Sequence, residues 1–143
     1  MPEIYVDTSA LAKLYVPETG SQAFQDYAAG LSSAWISRIA VVEFRCMLAR
    51  RVRSKAITPQ DQASARGLFE ADIVRGLWDV VPLEDQHVAQ AAALIDRMSN
   101  AALRTLDAMH LAVARSLGAS ELATSDATMA SAGGALGFRI ASF

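Results

Sequence analysis

Ile4-Tyr5-Val6-Asp7-Thr8-Ser9 is the stretch from which the fold can be worked out. Three β-forming residues run straight into an aspartate, two small hydroxyl residues follow, and an apolar helical pattern begins at Leu11. This is the pattern of a short buried strand with a carboxylate at its C-terminal tip, feeding a helix. In a parallel α/β sheet that tip is where ligands and metals bind. Such a tip predicts further acids arriving at the same place from distant parts of the chain.

Outward from it, strands and helices alternate. The first strand is expected over residues 3–6 and the first helix over 9–15, closed by Val16-Pro17 because proline disfavours a helical residue before it. Ser21 is expected to cap a helix that Gly30 ends, and a second strand centres on Ala34-Trp35-Ile36. A long helix over 37–54 follows, with Ile39, Val42, Cys46 and Ala49 as its expected buried stripe. Thr58-Pro59-Gln60-Asp61 starts another helix: a capping threonine, a proline in the first turn and an acid three residues on.

Trp78 to Pro82 forms a third strand, and Glu84 and Asp85 open a helix whose apolar face is expected at Val88, Ala91, Ala92, Ile95 and Met98. Thr105 is expected to cap a helix over 106–117, with Leu106, Met109, His110, Val113, Ala114 and Leu117 on one face. A fourth strand covers 121–124, a short helix runs to a break at Gly133-Gly134, and a last strand covers 138–140. Alternation of this kind predicts a mainly parallel sheet with helices on its faces.

The 143 residues suffice for one domain with a substantial core, and 52% of them are hydrophobic. The net charge of −2 offers no global basic field to attract nucleic acid, which disfavours a binder relying on bulk electrostatics but leaves room for an acidic metal site. The single cysteine, Cys46, excludes an intramolecular disulfide and a cysteine zinc knuckle, and its helical setting predicts a small buried apolar group. Met1-Pro2-Glu3 lacks a basic region followed by an apolar core, and no apolar run has membrane-spanning length, so a cytoplasmic protein is expected.

Most of the fifteen acids occupy solvated helix faces, but four are placed differently. Asp7 and Asp126 each follow a strand directly, each beside Ser and Thr. Asp107 lies in the first turn of a helix between Leu106 and Ala108. Glu43 interrupts the apolar run Ile39-Ala40-Val41-Val42 and Phe44, where a carboxylate is costly unless paired, protonated or bound to a cation. Carboxylates without histidine or cysteine suit a hard cation, Mg²⁺ or Mn²⁺, which also accepts phosphate oxygens.

Asp7-Thr8-Ser9-Ala10-Leu11, the helical Glu43, the block Leu103-Arg104-Thr105-Leu106-Asp107-Ala108-Met109-His110-Leu111-Ala112 and Thr124-Ser125-Asp126 together resemble the PIN domain. Within that family they are most similar to the VapC-type toxin ribonucleases of bacterial toxin–antitoxin pairs. The resemblance covers essentially the whole chain and implies one PIN domain over residues 1–143, folded as a three-layer α/β/α sandwich.

It further implies that Asp7, Glu43, Asp107 and Asp126 bind Mg²⁺ or Mn²⁺ and cleave RNA endonucleolytically through a metal-activated water. Asp7, Asp107 and Asp126 are implied as metal ligands, and Glu43 as a ligand or as the proton acceptor. Ser9, Thr124 and Thr8 are implied as supports of the acids. A small antitoxin carrying a DNA-binding domain is the implied partner, and a homodimer the implied assembly.

His110 is expected as a packed, hydrogen-bonded core residue and His87 as a surface one. Arg104 and Lys13 are the candidates for RNA contact near the cut, and Arg45 is a further candidate for binding RNA. The run Arg45, Arg50, Arg51, Arg53 and Lys55 is either a solvated helix end or a phosphate-contacting flank. An aspartyl-phosphate phosphatase also opens with an aspartate after a strand. It needs a second acid where this chain has Ser9, and a lysine later than the last one here, Lys55. A non-catalytic binding module would not require the four acids.

Overall fold

The computed structural model describes residues 2–143; Met1 lies outside the described residues. Five parallel strands form one sheet: β1 (Ile4–Val6), β2 (Ala34–Ser37), β3 (Trp78–Val81), β4 (Glu121–Thr124) and β5 (Arg139–Ser142). Their spatial order is β3-β2-β1-β4-β5, so the opening strand is the central one. Tyr5 lies beside Trp35 of β2 and Leu122 of β4.

Side chains along each strand alternate between two cores, as the two-residue period of a strand requires. Val6, Ile36 and Ala123 belong to one, Tyr5, Trp35 and Leu122 to the other. The first core is covered by α1 (Thr8–Tyr15), α2 (Ser21–Ala29), α3 (Arg38–Arg53) and α4 (Pro59–Val74). The second is covered by α5 (Asp85–Arg97), α6 (Thr105–Ser116) and α7 (Ala127–Ala135). The result is the expected three-layer α/β/α sandwich. Among the described residues, no helix is long and apolar enough to cross a membrane.

The site's location follows from this topology. After β1 the chain turns onto the first face, and after the neighbouring β4 it turns onto the second. Adjacent strands whose connections leave to opposite sides open a crevice at their carboxyl ends. Asp7 and Asp126 stand at the two lips of that crevice.

Several local expectations are corrected. The buried stripe of α3 is Ile39, Ala40, Phe44 and Leu48, whereas Val42 is 64% exposed and Cys46 is exposed too. Apolar residues nearly encircle the start of α3, so two stripe phases fit the sequence. The bulky Phe44 sets the actual one by packing against Tyr15 and Phe69, with ring centroids 5.6 and 4.9 Å away. On α5 the buried positions are His87, Ala91 and Leu94, one position away from the expected phase, leaving Val88 and Ile95 exposed. His87 is buried because its Nδ1 accepts from the Glu84 backbone N–H at 3.0 Å while its Nε2 lies 2.9 Å from Ser116 Oγ.

Ser21 is the first helical residue rather than the cap. Gly20 holds the cap position at φ 87°, and Ser21 Oγ accepts from Glu18 N–H at 2.9 Å. Thr105 likewise lies inside its helix, after Arg104 at the cap position. The Thr58 capping box forms as expected. Gly133-Gly134 does not break α7. A Cβ at Gly133 would sit 2.6 Å from Leu122 Cδ2, so this glycine lets the helix approach the sheet closely.

Candidate active site

Asp7 serves as the N-cap of α1, its Oδ1 accepting from the Ala10 N–H at 3.1 Å and from Ser9 Oγ at 2.7 Å. Its Oδ2 accepts from Thr124 Oγ1 on β4 at 2.6 Å. Thr124 Oγ1 also accepts from the Asp126 N–H at 3.0 Å, and Ser9 Oγ accepts from the Ser125 N–H at 2.9 Å. These hydroxyls tie the tips of β1 and β4 together. Burial raises the Asp7 carboxyl above its ordinary range, although His110 and the Thr124, Ser9 and Ala10 donors oppose that shift.

Asp126 caps α7, its Oδ1 accepting from the Met129 N–H at 2.9 Å. Asp107, in the first turn of α6, reaches back to the Arg104 N–H at 3.1 Å through Oδ2. The Arg104 guanidinium joins these two acids: Nε lies 3.2 Å from Asp107 Oδ2, and a terminal nitrogen 3.2 Å from Asp126 Oδ2. That doubly paired guanidinium has its pKa raised, first by Asp107 and then by Asp126.

Glu43 comes from α3. Its Oε1 accepts from Thr8 Oγ1 at 2.8 Å and lies 2.5 Å from Nε2 of His110. Burial works to raise the Glu43 carboxyl, but the His110 contact, Thr8 and Arg104 outweigh it and hold the group below its ordinary value. Nδ1 of His110 lies 2.6 Å from the Tyr5 hydroxyl. His110 is thus the packed, hydrogen-bonded residue expected. Its link to Glu43, across 67 positions, was not legible in the sequence.

A groove of about 470 Å³ runs over this end, lined by Thr8, Ser9, Glu43, Arg104 and Ser125 and, farther along, by Cys46, Met47, Arg50 and Arg51. Glu43, Cys46, Met47 and Arg50 recur at helical spacing, and that spacing is the sequence signal for the wall. Arg51 is ion-paired with Glu18, whereas Arg50 has no ion pair among the described residues.

Two expected contact residues are placed otherwise. Lys13 lies along the groove, but it is buried with its ammonium bonded to the Thr19 carbonyl and, at 3.3 Å, to Glu18. Arg45 leaves the groove altogether and pairs with Glu70 at 2.9 Å. Arg104 remains at the acids.

The donor set is all carboxylate oxygen, the kind a hard cation prefers. Among the described residues, no three His, Cys, Asp or Glu side chains are grouped so that they could hold one ion. Three features nonetheless fit a cation. Burial disfavours the charged form of Asp7 more than its surroundings favour it, which a cation would reverse. Glu43 Oε2 and Asp107 Oδ1 have no donor among the described residues. Ser125 Oγ, on the groove wall, is a buried hydroxyl without a partner.

A family model described as PIN domain matches residues 4–135. Two curated proteins of Mycobacterium tuberculosis, Ribonuclease VapC45 (strain CDC 1551 / Oshkosh) and Ribonuclease VapC49 (strain ATCC 25618 / H37Rv), are each 37% identical over 70 residues. That is 49% of this chain and 49% of each relative, so the match spans about half the length of these proteins. Among solved structures, M. tuberculosis VapC20, described as a sarcin-ricin loop cleaving toxin, superposes with a TM-score of 0.72 at 22% identity, over 91% of this chain and 95% of that one. FitAcB from Neisseria gonorrhoeae gives 0.73 at 17% identity, over 96% and 95%. A toxin-antitoxin complex from Klebsiella pneumoniae gives 0.59 at 17%, over 86% of each chain. At such identities these structures speak for the fold, while the family model covers nearly the whole chain: the protein belongs to the PIN domain family.

Proposed function

We propose that this chain, as one domain over residues 1–143, is a Mg²⁺- or Mn²⁺-dependent endoribonuclease and the toxin of a toxin–antitoxin pair. The observation that carries the reading is the crevice itself. Carboxylates from four separate elements are tied through Thr8, Thr124 and Arg104 at one end of the sheet, where Glu43 lines a groove whose far wall carries Arg50 and Arg51. The names of the VapC ribonuclease relatives support the same activity.

Asp7, Asp107 and Asp126 would hold the ion, with Ser9 and Thr124 fixing the Asp7 carboxylate. When bound, a divalent ion neutralises phosphate charge and makes water a stronger nucleophile near neutral pH. Glu43, with Oε1 held by Thr8 and His110, offers Oε2 as acceptor for the proton of the attacking water. Arg104 and Arg50 draw the RNA backbone along the groove by charge. An antitoxin that covers this groove and a homodimer complete the proposal.

The test is cleavage of candidate RNAs with Mg²⁺ or Mn²⁺ by the purified chain. Activity should need the metal and should be lost in Asp7→Asn and Asp107→Asn. Undiminished cleavage by either variant would remove that residue from the site.

A further inference from the structure

We propose that Tyr5 and His110 form a buried hydrogen-bonded arm that fixes the Glu43 carboxylate, so that one oxygen is held from inside the protein and the other is presented to the groove. The inference rests on the ribonuclease reading for its catalytic consequence, but the arm itself is a claim about three side chains.

The geometry runs through both helical layers. Tyr5 is fully buried at the centre of β1, on the face covered by α6. Its ring meets the His110 ring edge-on, with centroids 5.8 Å apart and planes 66° apart, and its hydroxyl is 2.6 Å from Nδ1. The other ring nitrogen reaches 2.5 Å from Oε1 of Glu43 on α3, which belongs to the opposite layer.

Thr8 donates to that same oxygen at 2.8 Å. Oε1 therefore has two partners, and Oε2 has none among the described residues although Glu43 lines the groove. A carboxylate pinned at one oxygen has lost its freedom to rotate, and the direction of its free oxygen is set.

Proton placement along the arm is determined by elementary chemistry. A phenol holds its proton at neutral pH, so Tyr5 donates to Nδ1. A neutral imidazole that accepts at Nδ1 carries its proton on Nε2, and Nε2 then donates to the Glu43 carboxylate. The acceptor-only Glu43 carboxylate and the Tyr5 hydroxyl favour the same His110 tautomer. Phenylalanine and leucine would fill the same space without buried polar atoms, which makes a purely packing role for this pair uneconomical.

His110 and Tyr5 are positioning residues, acting through Glu43. A displacement of about 1 Å in a reacting group can cost about 100-fold in rate. In Tyr5→Phe and His110→Leu, cleavage should fall roughly 10- to 100-fold in kcat with KM within about 3-fold of wild type. His110→Gln, whose amide nitrogen can reach the Nε2 position, should recover most of the loss.

The readout that needs neither metal nor RNA is the ¹⁵N spectrum of the His110 imidazole. The wild type should show the Nε2–H tautomer with its Nδ1 resonance shifted by a hydrogen bond, and Tyr5→Phe should keep the tautomer and lose that shift. Tyr5→Phe is nearly isosteric, so it serves even where His110→Leu fails to fold. A wild-type His110 protonated on Nδ1 alone overturns the arm. Folded Tyr5→Phe with wild-type kcat, or His110→Gln no better than His110→Leu, overturns its positioning role. Failure of the ribonuclease reading looks different: no cleavage by the wild type with the Nε2–H tautomer intact.

Discussion

Asp7→Asn should make the metal-free protein more stable while abolishing its activity. Asp7 is 4% exposed, and its charge is met only by neutral donors at contact distance: Ser9, Thr124 and the Ala10 N–H. Asparagine keeps the shape and loses the charge. Its Oδ1 still accepts from Ser9 Oγ at 2.7 Å and from the Ala10 N–H at 3.1 Å, and asparagine is as good an N-cap as aspartate. Its Nδ2 donates to Thr124 Oγ1, and the threonine hydroxyl turns to Ser9 Oγ, 3.3 Å away. Every heavy atom keeps a partner, and only the second amide hydrogen goes without one. Removing a functional charge of this kind gains on the order of 1 kcal/mol, or about 3 °C in Tm for a chain of this size.

The pH dependence has a definite sign. Burial raises the folded carboxyl above the unfolded value of 3.8, so the folded state binds the proton more tightly. Stability of the metal-free wild type therefore falls as pH rises from the unfolded value through the folded one. The variant lacks this fall, and its advantage opens across that window and then levels off. Thermal unfolding in EDTA at several pH values reads it directly. Added Mn²⁺ should raise the wild-type Tm by mass action and leave the variant unmoved. A variant that melts below wild type in EDTA at neutral pH would refute the reasoning, because the charge would then be stabilising where it sits.

Three further outcomes are expected. Arg104→Ala removes the guanidinium shared by Asp107 and Asp126, so calorimetry should find tighter Mn²⁺ binding, with an unchanged Tm because Arg104 is exposed, and kinetics should find a higher KM for RNA. Arg50→Ala should lower RNA affinity and reduce the log–log salt slope by about 0.7 for a single strand, measured by filter binding on a catalytically inactive background. Phe44→Ala, emptying a fully buried site between Tyr15 and Phe69, should cost about 3–5 kcal/mol in urea unfolding.

The fold was legible because its signals are local. Ile4-Tyr5-Val6 and Leu122-Ala123-Thr124 are short, apolar and terminated by polar residues, and each helix between strands carries its own start or stop. Helix phase was less legible. Where apolar residues surround a helix, as at 39–44, a single chain does not say which of them faces the sheet. Phe44 settles it only by meeting Tyr15 and Phe69. The burial of His87 is hidden for a related reason, since its partners are a backbone amide one turn back and a serine on the next helix. Polar side chains at Thr105 and Ser21 suggested caps, but backbone geometry placed the helix starts at Arg104 and Gly20.

For the site, chemistry that repeats was visible and chemistry that links was not. Two strand-tip aspartates beside hydroxyls announce a crevice. The Arg104 tie and the contact from Tyr5 through His110 to Glu43 depend on distances no local pattern encodes. Charge is where a whole-chain quantity conceals most. A net charge of −2 describes no part of the groove. One helix, α3, contributes Glu43 near its start and Arg50 and Arg51 near its end, all on the groove wall.

Seven residues at about 1.5 Å each separate the carboxylate from the first arginine by about 10 Å along the axis. That is about the Debye length in physiological salt, so the two ends act on a polyanion almost independently. The arginines lie at the helix end where positive charge is also favoured by the backbone dipole, and Asp7 and Asp126 stand at the strand tips. With Arg51 paired to Glu18, Arg50 is the charge this wall leaves for a polyanion, without the chain being basic. Electrostatic predictions for this protein therefore have to be made residue by residue along α3.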